Sequence, residues 1–159
     1  MLPGPLSLTL HSPEDTADFA RNLGALLVPG DCLLLEGEIG AGKTHFARSL
    51  IQSLQDMPED VPSPTFTLVQ FYETTAGELW HTDLYRLSAL EEITELGLED
   101  AFNTAICLVE WPDRLAELTP AHALRLVFAT VPGDLDTRTL SLNWSDPKWT
   151  PRLNEVLND

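Results

Sequence analysis

Positive charge is what this chain has least of: 9 lysines and arginines stand against 25 aspartates and glutamates, a formal net charge of −16. Phosphate contacts dominate affinity for nucleic acid, so such a surface should repel RNA and DNA. Independent nucleic-acid binding is not expected, and any RNA in this protein's work should be held by a partner. Cysteine is scarce as well. Cys32 and Cys107 both fall in apolar, strand-like runs, which argues for small core residues in a reducing compartment and against a disulfide or a metal site. No apolar run nears the roughly 18 residues of a membrane-spanning helix. The opening Met1-Leu2-Pro3-Gly4-Pro5 lacks the basic start and apolar stretch of a secretory signal. The chain reads as soluble and cytoplasmic. There is no N-K-x-D string to read guanine, no internal repeat and no low-complexity tract. A single domain over residues 1–159, with one proper core, is the expectation.

What is present is concentrated in one string, GEIGAGKT at residues 37–44. It fits the phosphate-loop pattern G-x-x-x-x-G-K-[ST] at every fixed position. Cys32-Leu33-Leu34-Leu35 before it reads as a short buried strand. Residues 45–55 after it read as a helix with apolar Phe46, Ala47, Leu50, Ile51 and Leu54. Strand, glycine loop and helix together separate a phosphate loop from a glycine-rich turn carrying an exposed lysine. Gly37, Gly40 and Gly42 let the backbone curl so that N–H groups point at phosphate oxygens. The helix adds its positive N-terminal end. Lys43 can reach the β- and γ-phosphates and the Thr44 hydroxyl can ligate Mg²⁺. Gly37, Glu38, Ile39, Gly40, Ala41, Gly42, Lys43 and Thr44, with His45 behind them, form the expected binding segment for a nucleoside triphosphate.

Elsewhere, Leu6-Ser7-Leu8-Thr9-Leu10 alternates as a strand does. Ser12-Pro13-Glu14-Asp15 announces a helix, with Ser12 as N-cap, Pro13 in the first turn and acids beside it. Phe19, Leu23, Leu26 and Leu27 supply its buried stripe. Residues 57–64 are a proline- and acid-rich loop. Residues 65–72 and 79–85 read as a hairpin around 74–77, and residues 87–98 as one or two short helices. Ile106-Cys107-Leu108-Val109 has the continuous apolar character of a central strand. Residues 124–130 and 139–143 read as strands, and residues 149–157 as a closing helix. The pattern predicts a three-layer α/β domain with a mostly parallel sheet and antiparallel additions.

A phosphate loop needs a second acid to organise Mg²⁺ and its waters. Glu110 ends the buried 106–109 run, where open α/β sheets bind ligands. Trp111 follows it, as a packing residue, a lid over the phosphates or a partner contact. In HTDLYR (81–86), alternation predicts His81, Asp83 and Tyr85 on one strand face. Asp83 is a candidate to orient or deprotonate the attacking water or to hold the metal's outer shell. His81 alone is a weak signal. Arg86 is suited to pair with Asp83 or with phosphate. Pro62 and Pro64 stiffen a segment that exposes hydroxyls. Thr65 is the candidate for sensing the γ-phosphate there.

In this order and at these separations, GEIGAGKT, SPTFTLV, HTDLYRL and ICLVEW resemble the bacterial TsaE family, from about the first helix to Pro112. The resemblance implies a P-loop ATPase of tRNA threonylcarbamoyladenosine biosynthesis, acting with the TsaD and TsaB proteins and meeting tRNA only indirectly. It implies ATP and Mg²⁺ as ligands, with Lys43 and Thr44 in phosphate-loop roles. Thr65 would mark the switch, Asp83 and Glu110 the acidic site, Thr44 and Glu110 the Mg²⁺ pair, and Trp111 the adjoining aromatic. By the same resemblance, Lys43, Asp83 and Glu110 would be the catalytic set. The family usually carries a small hydroxyl residue where this chain has His45, whose role stays open. Glu38 replaces a common aspartate.

Two other readings compete. A small-molecule kinase surrounds the transferred phosphoryl with cations, which 9 basic residues supply poorly. The second is a nucleotide-gated binding module, in which ATP orders residues 63–67 for docking and hydrolysis is incidental; it ranks behind the ATPase reading but is also compatible with the motifs.

Overall fold

Cys32, Leu33, Leu34 and Leu35 are all buried because the strand they form is central in a sheet covered on both faces. The computed structural model describes residues 6–38, 40–62, 68–87 and 89–157. In chain order the elements are β1 (Leu6–Leu10), α1 (Pro13–Gly24), β2 (Cys32–Glu36), α2 (Lys43–Ser53), β3 (Val69–Thr74) and β4 (Gly77–Asp83). They continue with α3 (Leu90–Leu96), α4 (Leu98–Thr104), β5 (Ile106–Glu110), a 3-10 helix (Pro112–Leu118), β6 (Leu124–Val131), β7 (Asp134–Asn143) and α5 (Trp149–Leu157). One seven-stranded sheet runs in the order β1-β7-β6-β2-β5-β4-β3. The inner strands β6, β2, β5 and β4 are parallel, while β3, β7 and β1 add antiparallel edges. The mixed α/β class read from the sequence is the one observed.

Alternation sorts the strand residues between two helical layers. Leu33 and Leu35 of β2, Leu79 of β4 and Leu108 of β5 join a core with Phe19 and Leu23 of α1, Phe46 and Leu50 of α2, and Trp149 of α5. Cys32, Leu34, Cys107 and Val109 join a second core with Ile93 of α3, Phe102 of α4 and Leu115 of the 3-10 helix. Cys32 and Cys107 face each other in register across β2 and β5, both free thiols. Burial pushes both thiols up, that of Cys107 to about 12, so they are core residues, as expected.

The first helix begins as its sequence dictates: the Ser12 hydroxyl accepts from Asp15 N at 3.1 Å, and Pro13 takes the first turn. Several boundaries shift. The loop helix starts at Lys43, not His45, since Gly42 (φ 108°) turns the chain into it directly. β4 ends at Asp83, so Tyr85 lies beyond the strand. The helix α4 extends over residues 99–104, which carried no assignment, from Leu98, where the expected helical stretch ended. β7 begins at Asp134, five residues before the expected start, because its outer half pairs with β6 in solvent and shows little apolar alternation. The hairpin of β3 and β4 is there with its turn at Thr75 and Ala76. Residues 63–67, the start of the expected first hairpin strand among them, lie outside the described residues. No helix among the described residues is long and apolar enough to cross a membrane.

Candidate functional site

The parallel strands β2, β5 and β4 all end at the same edge of the sheet, and each delivers one part of a site there. β2 runs into the glycine loop. Gly37 (φ 142°) must be glycine, because a Cβ there would stand 2.6 Å from the carbonyl oxygen of Phe128. Gly40 and Gly42 also have left-handed φ, but a Cβ on either would meet nothing within 4 Å. The loop is thus pinned to β6 at its start and opens onto a cleft at its end. That cleft holds about 610 Å³, within the span of small-molecule sites.

Lys43 and Thr44 open α2 on the cleft side. Lys43 is 5% exposed as a residue, with its ammonium at the cleft wall. It donates to the carbonyl of Gly37 and sits 3.7 Å from the centroid of the Trp111 ring. Burial lowers its pKa below that of an ordinary lysine, and the Glu110 and Asp83 carboxylates pull it partly back. Trp111 reaches this position from the left-handed region (φ 59°), a conformation costly for a bulky residue and one that tends to mark functional sites. The Tyr85 ring packs against the indole at 4.8 Å.

Glu110, the last residue of β5, is 2% exposed. Thr44 Oγ1 lies 3.2 Å from its Oε1 and 3.4 Å from its Oε2, and His81 Nε2 lies 2.7 Å from Oε2. Asp83 stands opposite Glu110 in the β4–β5 register and accepts from the Tyr85 N–H at 2.9 Å. His81 and Asp83 share the strand face that meets α2. The expected set Lys43, Thr44, Asp83, Glu110 and Trp111 is therefore brought together in one cleft. Arg86 lines it as well.

His45 donates from Nε2 to the carbonyl of Pro13 at 2.9 Å. It ties α2 to the first turn of α1 while forming part of the cleft wall. Ile39 and Thr65 lie outside the described residues. Among the cleft residues missed from sequence, with Pro13, Thr16, Leu135 and Asp136, is Arg138 of β7. Its guanidinium donates to the carbonyls of Ala41 at 3.1 Å, Gly40 at 3.3 Å and Leu135 at 2.8 Å. It buttresses the glycine loop from β7, two strands away from β2, and adds positive charge at the rim of the cleft. The sequence pattern starts this strand at Thr139 and leaves residue 138 unassigned, and nothing local betrays that β7 passes beside the loop.

The chemistry of these groups suits a polyphosphate with a divalent cation. Backbone N–H groups, the N-terminus of α2, Lys43 and Arg138 favour anions. Among the described residues, no cluster of three or more histidines, cysteines or carboxylates forms a self-sufficient metal cage. Thr44 and Glu110 together fit a Mg²⁺ whose remaining ligands are phosphate oxygens and water, the usual arrangement for that ion.

The comparisons agree with this architecture. The family model described as TsaE, threonylcarbamoyl adenosine biosynthesis protein TsaE, matches residues 10–139. The chain is 42% identical over 117 residues to the tRNA threonylcarbamoyladenosine biosynthesis protein TsaE of Rickettsia bellii (strain RML369-C), covering 74% of this chain and 81% of that one. To the protein of the same name from Bacillus subtilis (strain 168) it is 38% identical over 117 residues, 73% of this chain and 72% of the relative. The crystal structure of Bacillus subtilis YdiB superposes with a TM-score of 0.78 at 28% identity, over 99% of this chain and 97% of that one. With a family model spanning both flanks of the cleft and relatives this similar, the chain belongs to the TsaE family of tRNA threonylcarbamoyladenosine biosynthesis proteins.

Proposed function

We propose that this protein is a cytoplasmic, Mg²⁺-dependent ATPase that supports threonylcarbamoylation of the tRNA adenosine beside the anticodon by acting on a TsaB–TsaD complex. One observation carries the nucleotide reading. A glycine loop, the buried Lys43 and the Thr44–Glu110 pair converge at the C-terminal edge of parallel strands, in a cleft of about 610 Å³. The loop N–H groups and Lys43 would bind the phosphates. Bound Mg²⁺ would neutralise charge on the transferred phosphoryl group. Thr44 and Glu110 would hold that ion, and Asp83 would orient the attacking water or accept its proton. For Lys43 to reach phosphate, its contacts with Gly37 and Trp111 must be exchanged, so nucleotide entry is coupled to the position of Trp111. The threonylcarbamoyl transfer itself belongs to the partner complex, and tRNA meets this strongly acidic chain only through it.

That coupling also favours a second reading, in which ATP binding alone gates docking and hydrolysis is incidental. Replacing both acids separates the two. If Asp83→Asn with Glu110→Gln abolishes partner-stimulated turnover but leaves ATP-dependent docking, hydrolysis is a distinct function. The nucleotide reading itself is tested by equilibrium binding. ATP should bind and resist competition by GTP, and Lys43→Ala should weaken binding at least 10-fold, on the order of the 1.5–3 kcal/mol of a charged hydrogen bond. Equal affinity in Lys43→Ala would refute it.

A further inference from the structure

His81 has no part in the scheme above, yet it is fully buried in β4, on the face that meets α2. Its Nε2 stands 2.7 Å from Glu110 Oε2. A carboxylate oxygen accepts only, so Nε2 carries the hydrogen and donates. Its other nitrogen, Nδ1, is buried with no hydrogen-bond partner among the described residues. An unpaired buried polar atom costs free energy, and a leucine beside Leu79 and Leu108 would fill this place without that cost. A histidine kept for the core alone would satisfy both nitrogens, as buried polar groups generally do. What this one supplies in return is its single bond to Glu110.

That bond determines how Glu110 presents itself. The terminal torsion of a glutamate is broad, so a carboxylate at a strand end is free to swivel unless something holds it. With Oε2 held by His81, the Thr44 hydroxyl stands nearer Oε1, at 3.2 Å, than Oε2, at 3.4 Å. The reach is diagonal across the parallel pair, since His81 is registered with Leu108 and Asp83 with Glu110. A slip of one residue would turn His81 to the α3–α4 side.

We propose that His81 is the positioning residue for Glu110, its Nε2–H holding one carboxylate oxygen so that the other meets Thr44 and the divalent cation accompanying a bound nucleotide. The proposal rests on the Mg²⁺–nucleotide reading and assigns a residue to the support of its acid. Groups that orient a metal ligand typically contribute 10- to 100-fold in metal affinity.

The test is calorimetric titration with ATP, once in EDTA and once in excess MgCl₂, so that the gain in affinity due to Mg²⁺ is read separately from nucleotide binding. His81→Leu should lose about 10-fold or more of that gain while its Mg²⁺-free affinity stays at the wild-type value. His81→Gln, whose amide nitrogen reaches about as far as Nε2, should recover most of it. Leu79→Ala, a core change on the same strand face, should lower the melting temperature and leave the gain intact. If His81→Leu does not fold, His81→Asn, too short to reach Glu110, carries the same expectation. A wild-type gain in His81→Leu would overturn the proposal, as would a loss that is the same with and without Mg²⁺. Failure of the wild-type protein to bind ATP would instead refute the nucleotide reading and this proposal with it.

Discussion

Cys107 illustrates how far a single residue's surroundings set its chemistry. Its thiol is fully buried beside Cys32, and burial holds it at about 12 against an ordinary value of 9.0. Only the thiolate reacts, so neither cysteine should be modified by Ellman's reagent at neutral pH until the protein unfolds. The linkage has a definite sign. The folded thiol binds its proton more tightly than the unfolded one, so its contribution is complete below about pH 9 and is lost as pH rises toward about 12. Urea denaturation across that window should find the wild-type protein losing more stability than Cys107→Ala; parallel losses would contradict the assignment. At this scale the sequence was uneven. Lys43 and Thr44 were legible as candidates from the loop motif, and Glu110 from its place at the end of a buried apolar run. His81 and Arg138 were not, because each acts through a partner far away in the chain: Glu110 for one, the carbonyls of Gly40 and Ala41 for the other.

At the scale of elements, the least expected tie is that of α5. Asp31, 1% exposed, accepts from Lys148 Nζ at 2.9 Å, from Arg152 Nη1 at 2.7 Å and from the Val28 N–H at 2.8 Å. It anchors the C-terminal helix to the start of β2, at the end of the strand away from the glycine loop. The two cations are each more than a fifth exposed, whereas the carboxylate is not. Removing the cations therefore strands a buried charge, while removing the charge lets the cations return to water. Lys148→Ala with Arg152→Ala should cost about 3 kcal/mol in urea denaturation, the typical cost of breaking a buried pair, and more than Asp31→Asn. The reverse order would show that the cluster is not governed by desolvation. The closing helix was legible from its apolar positions, and α1 from Ser12 and Pro13. α4 and the outer half of β7 were not, because short or solvent-facing elements take their stability from tertiary pairing and leave little periodicity to read.

For the whole molecule, the order of the central strands is what sets the acids beside the glycine loop. Open α/β sheets bind ligands at the C-terminal ends of their strands, and there β5 and β4, parallel to β2, bring Glu110 and Asp83 to the edge where β2 runs into the glycine loop. The net charge of −16 works at this scale too. A surface this acidic disfavours direct contact with nucleic acid, and under the proposed function it would suit a partner that presents positive charge. The β3–β4 hairpin was legible from its turn, whereas the pairing of β1 with β7 was not, since it joins segments far apart in the chain and no local pattern encodes it.

The measurement that tests this account most directly is multiple-turnover ATP hydrolysis by the purified protein, alone and with the TsaB–TsaD heterodimer, with Lys43→Ala as the control. The account predicts weak turnover alone, clear stimulation by the partners, and loss of that stimulation in Lys43→Ala. Unstimulated turnover with competent partners and intact ATP binding would contradict it.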